Sequence, residues 1–196
     1  KMNFCINLYK NSMCLFCNWE DYDEDDNTKI NCQGCSGVKT IPCVNGMKKL
    51  NCCYCSNLTS IAVTPSLEIL DCSGCTTIKA IPLIPGLKKL ICMRCTSLKE
   101  IPTLPNLEHL DCRECRNLIA IPELPKLSTL DCSICPSIRS LPPSFPNLKK
   151  LVCSQTSVNT LPETPMLETL ICSVTKIRDI PAMSNLALLE ARHCEN

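Results

Sequence analysis

Six cysteines, Cys32, Cys52, Cys72, Cys92, Cys112 and Cys132, stand 20 residues apart, and each is followed three residues later by another: Cys35, Cys55, Cys75, Cys95, Cys115 and Cys135. Leucines keep the same beat. Leu67, Leu87, Leu107 and Leu127 open successive units, and Leu50, Leu70, Leu90, Leu110 and Leu130 fall three residues into theirs. One clean copy, Leu107–Lys126, reads LEHLDCRECRNLIAIPELPK. A unit this short is a single turn of structure that cannot bury its own apolar face. The period therefore implies coils that stack and share a core.

With Leu107 as position 1, the pattern L-x-x-L-x-C predicts a short strand over positions 3 to 5. Strand alternation then turns positions 4 and 6 inward and positions 3 and 5 outward. The return carries proline at positions 16 and 19, as in Pro82 and Pro85, Pro102 and Pro105, or Pro122 and Pro125. Proline fixes φ and blocks α-helix, so the returns are expected to be extended, polyproline-like or 3-10. Aromatic residues are only 4% of the chain, which leaves Leu, Ile, Val and Cys to fill the interior.

The unit L-x-x-L-x-C-x-x-C-x-x-L-x-x-I-P-x-L-P-x resembles the leucine-rich-repeat family, whose pattern begins L-x-x-L-x-L-x-x-N/C-x-L. The resemblance covers residues 27–196. The 20-residue length and the IPxLP ending look most like the short repeats of bacterial effector proteins. The Cys-rich composition is also similar to repeat proteins of large DNA viruses. The expected fold class is thus a leucine-rich-repeat solenoid with short parallel strands on a concave face, convex returns as above, and little or no α-helix. Residues 27–196 form the array, about eight repeats with the last incomplete. Residues 1–26 form an N-terminal cap with an acidic loop, built on Trp19 and the run Glu20–Asp26.

Departures from the period are informative. The unit Leu127–Asn147 is one residue longer and contains PPSFP, and the units opening at Leu148 and Leu167 are one shorter. In both short units Thr156 or Thr175 replaces the second cysteine, and the next apolar residue, Val158 or Ile177, moves one place closer. Position 9 therefore calls for a small group able to hydrogen-bond to turn backbone.

Three roles for the 20 cysteines compete. The C-x2-C-x16-C-x2-C spacing falls within that of zinc ribbons. Against zinc, the leucine register gives these cysteines core positions, and threonine replaces two of them without disturbing the repeat. Disulfides between equivalent positions of neighbouring coils are disfavoured, because their Cβ atoms remain about 4.8 Å apart. Bridges are left open for Cys5, Cys14, Cys17, Cys43, Cys53 and Cys194, outside the ladder positions. The favoured role is that of small buried hydrophobes kept as thiols, which implies a reducing, cytoplasmic compartment, of a host cell or in a virion.

Catalysis finds little support. His109 and His193 are the only histidines and lie in different units, and no phosphate-cradling glycine loop, nucleophile elbow or cofactor motif is present. No catalytic residue, metal ligand or cofactor is expected. The start lacks the apolar core of a signal peptide, and no run reaches about 18 apolar residues, so no membrane partner is expected. The candidate site is the outward strand surface, where basic and acidic coils alternate: Lys48 and Lys49, Glu68 with Asp71, Lys88 and Lys89, Glu108 and His109 with Asp111, then Lys149 and Lys150. Such a surface suits a protein partner, and its acids would repel nucleic acid. The function expected is a non-enzymatic protein-binding module. The alternatives are a structural or self-assembling repeat protein, as in a viral particle, and a zinc-stabilised scaffold. The last unit opens at Leu186 and Leu189 and points to self-association through a C-terminal edge.

Overall fold

The computed structural model describes residues 28–194. The cap expected over residues 1–26, and with it Cys5, Cys14 and Cys17, lies outside them.

Each unit folds as one coil: a three-residue strand, a tight turn, a flank, and a return that carries proline in most coils. Among the described residues eleven strands result: β1 (Lys29–Asn31), β2 (Thr40–Ile41), β3 (Lys49–Asn51), β4 (Ser60–Ile61), β5 (Ile69–Asp71), β6 (Lys89–Ile91), β7 (His109–Asp111), β8 (Thr129–Asp131), β9 (Lys150–Val152), β10 (Thr169–Ile171) and β11 (Leu188–Glu190). Nine of them make one sheet in the order β1-β3-β5-β6-β7-β8-β9-β10-β11, and β2 pairs with β4. All pairings are parallel and in repeat register, so Leu50, Leu70, Leu90, Leu110, Leu130, Leu151 and Leu170 stand in a single column. No helix occurs among the described residues.

The interior is a stack of such columns. Positions 1, 4, 6, 9, 12, 15 and 18 of the Leu107 coil (Leu107, Leu110, Cys112, Cys115, Leu118, Ile121 and Leu124) are all buried. The long coil uses its extra residue to seat Phe145, fully buried, where Leu104 and Leu124 sit in the preceding coils. The returns form few backbone pairs, and side chains satisfy their carbonyls instead. Asn106, Asn147 and Asn185 each donate from Nδ2 to a proline carbonyl one coil earlier, Pro85, Pro125 and Pro165, at 2.8–2.9 Å. On the opposite flank Asn57, Asn117, Ser137 and Ser157 donate to the carbonyls of Ser36, Thr96, Arg116 and Pro136 in the same way.

Candidate functional site

The site is built on the turn that follows each strand. Position 8 adopts a left-handed conformation in every coil, at Gly34 (φ 74°), Tyr54 (58°), Gly74 (70°), Arg94 (57°), Glu114 (60°), Ile134 (58°), Gln155 (56°), Val174 (59°) and His193 (55°). Only two of these are glycine, and a β-branched residue in this region is strained. The conformation aims the N–H of position 8 at the carbonyl of position 7 in the next coil, as in Arg94 to Arg113 (2.8 Å) and Val174 to Arg192 (2.8 Å). The inter-coil ladder thereby continues beyond the strand, which offsets the backbone cost.

The same turn is braced from position 5. Asp71 and Asp131 each accept, at Oδ1, the backbone N–H and the hydroxyl of the serine two residues on, Ser73 or Ser133, at 3.1 and 2.7 Å. Asn31 and Asn51 accept the N–H of Gln33 and Cys53. Asp111 binds the N–H and guanidinium of Arg113, which also reaches Asp131 at 3.5 Å. These are local side-chain turns of the kind Asp and Asn form readily. Asp71 and Asp111, read from sequence as contact residues, therefore also hold the chain's own turn.

Beneath the turn, cysteine links coils. The position-9 thiols of Cys55, Cys75, Cys95, Cys115 and Cys135 donate to the position-6 carbonyls of Cys32, Cys52, Cys72, Cys92 and Cys112 in the preceding coil, at 3.0–3.2 Å. Thr156 and Thr175 instead donate to Cys153 and Cys172 of their own coil, at 2.7 and 2.8 Å. The shorter C–O reach explains why threonine accompanies the tighter turn. The thiols of Cys52, Cys72, Cys92 and Cys112 are held well above the usual cysteine range by the hydrogen-bonded thiol of the neighbouring coil and by burial. Burial pushes Cys172 up to about 12, with the thiol of Cys194 adding to it. The 15 cysteines from Cys43 to Cys194 are free thiols, and among the described residues no group of three or more His, Cys, Asp and Glu is arranged to hold a metal ion.

Above the turn lies the outward strand face, where register brings every sequence-predicted contact residue onto three columns. Position 2 carries Lys48, Glu68, Lys88, Glu108 and Lys149. It is partly self-paired, since Lys88 meets Glu68 at 2.9 Å and Lys149 meets Glu168 at 3.4 Å. The Glu68 carboxyl is accordingly held below its ordinary range by the hydrogen bond from Lys88. Position 3 carries Lys29, Lys49, Ile69, Lys89, His109, Thr129, Lys150, Thr169 and Leu188, with no acid. Position 5 carries Asn31, Asn51, Asp71, Ile91, Asp111, Asp131, Val152, Ile171 and Glu190, with no base. The face is thus divided lengthwise into a basic and an acidic row. Sequence inspection showed the coil-to-coil alternation and missed this division. Among the described residues Lys48, Lys49, Lys89, Glu108 and Lys150 make no salt bridge. His109 Nδ1 lies 2.7 Å from the hydroxyl of Thr129, which ties it into the face.

Parallel register, a 20-residue coil and inward leucines define the class: the chain is a solenoid of the leucine-rich-repeat type. Among solved structures it is similar to YopM from Yersinia enterocolitica WA-314, at 20% identity and a TM-score of 0.46, over 80% of this chain and 49% of that one. The chain thus spans about half the length of that structure. No family model matches the sequence, and no curated protein matches it.

Proposed function

We propose that the chain is a non-enzymatic protein-binding module whose contact surface is the outward face of the nine-stranded sheet. The observation that carries this is the lengthwise division of that face, with unpaired Lys49, Lys89 and Lys150 in one row and Asp71, Asp111 and Asp131 in the next. Pairing within the fold would be served by mixing the signs in each row, whereas segregated rows suit a partner with the complementary arrangement. The module is proposed to work in a reducing compartment, the cytoplasm of a host cell or a virion, where buried thiols persist. The test is reversal of Lys88 and Lys89 to Glu, which places acids between Glu68 and Glu108. Capture of a partner from native-cell lysate should fall sharply while the thermal midpoint moves little, because exposed ion pairs contribute little to stability. A lowered midpoint with undiminished capture would show that the charges serve only the fold.

A further inference from the structure

The flank between turn and return carries a charge pattern unlike that of the sheet face. The residue that follows each buried position-12 side chain points outward, and successive coils present Lys39, Thr59, Lys79, Lys99, Ile119, Arg139, Asn159 and Arg178. All eight are exposed. Backbone hydrogen bonds fix them as one row: Thr59 N–H to Lys39 carbonyl (2.8 Å), Lys99 N–H to Lys79 carbonyl (3.2 Å), and Ile119 N–H to Lys99 carbonyl (3.3 Å). Arg116 and Lys176 lie beside it, and its neighbouring acids are Glu100 and Asp179.

Among the described residues none of these cations forms a salt bridge, although Lys88, Arg94, Arg113 and Lys149 elsewhere all do. Lys79 sits directly over Lys99, and like charges in cross-strand register destabilise. The fold gains no side-chain pairing from these cations, and such local conflicts concentrate at functional surfaces. We infer that the flank is a second interaction surface, independent of the sheet face, and that it binds an extended acidic polypeptide segment running along the solenoid axis.

The spacing favours this partner. Coils rise about 4.8 Å, so cations two coils apart are separated by roughly 9.6 Å. Three residues of polyproline-type chain cover about 9.3 Å, so an acid at every third residue matches Lys99, Arg139 and Arg178, which stand two coils apart. Ile119, 64% exposed in the middle of the row, offers an aliphatic contact that a phosphate backbone cannot use. The flank has no aromatic side chain on which bases could stack, as single-strand binders require.

The probe is a fluorescent peptide of about 12 residues with Glu at every third position, Pro between, and one central Leu. It is titrated against the full chain at about 0.15 M salt, beside an oligothymidylate of equal length and phosphatidylserine vesicles. The inference requires saturable peptide binding that is weakened at least about tenfold by Lys79→Glu/Lys99→Glu/Arg139→Glu and left intact by Lys49→Glu/Lys89→Glu. The neutral triple variant Lys79→Gln/Lys99→Gln/Arg139→Gln, which removes repulsion from the row, should keep or raise its thermal midpoint and still lose binding. Absence of peptide binding, equal loss from the sheet-face variant, an unaffected neutral variant, or tighter binding of the oligonucleotide or the vesicles would overturn it.

Discussion

At the residue scale, the chain accepts backbone strain at one position per coil to extend its hydrogen-bond ladder. Val174 shows the cost most plainly, being β-branched, half exposed and at φ 59°. Asn tolerates this region, so Val174→Asn should stabilise the fold by roughly 0.5–1.5 kcal/mol, read from denaturant unfolding. Gly74→Ala should do the opposite, since an added methyl at φ 70° would stand 2.5 Å from Tyr54 Cδ1. A destabilised Val174→Asn variant would show that the strain is not felt. These positions were invisible in the sequence, because Gly, Tyr, Arg, Glu, Ile, Gln, Val and His all occupy position 8 and share no chemistry. The constraint there is on the backbone, and only Gly34 and Gly74 hint at it. Cysteine chemistry gives a pH prediction at the same scale. The Cys172 thiol is pushed up to about 12 by burial, so the fold favours its neutral form. An unfolded thiol ionises near pH 8.5, hence the contribution of this group is full below that value and declines as pH rises from about 8.5 towards 12. Denaturation midpoints between about pH 8 and pH 10 should fall, and Cys172→Ala should flatten the slope. An unchanged slope in the variant would contradict the assignment.

At the element scale, each coil is one strand and one turn held by buried leucine and by a position-5 brace. These two contributions differ in size. Leu110 is 2% exposed, and Leu110→Ala should cost roughly 2–5 kcal/mol. Asp131→Ala removes the bonds to the Ser133 N–H and hydroxyl at a half-exposed turn and should cost only about 1 kcal/mol. Equal losses in equilibrium unfolding would mean that the turns, not the leucine column, set the stability of the array. The leucine column was legible because burial is written as period. The brace was not, because Asp, Asn, Ile and Val alternate at position 5 and strand reasoning assigns that position simply to the surface. The inter-coil direction of the thiol bonds was likewise out of reach. Spacing within one coil suggested a bond to turn backbone, and only stacking shows that the carbonyl belongs to the coil before.

For the whole molecule, 20-residue periodicity dictates a stack of near-identical coils, and everything that distinguishes one face from another follows from which positions the stack aligns. Inward positions give a continuous core of leucine, isoleucine and thiols. Outward strand positions give the divided sheet face, and the flank gives the basic row. The candidate residues Lys48 to Lys150 were identifiable one coil at a time. Their sorting into basic and acidic columns required the register in which Lys89 pairs with His109 and Asp111 with Asp131. The measurement that addresses the central claim most directly is photo-cross-linking in native-cell lysate, with a photoreactive residue placed at Lys89 or Lys150 on the sheet face and at Glu123 on the return. A protein-binding sheet face predicts the same discrete protein adduct from positions 89 and 150 and none from position 123. Adducts of equal yield from all three positions, or none from 89 and 150, would contradict it.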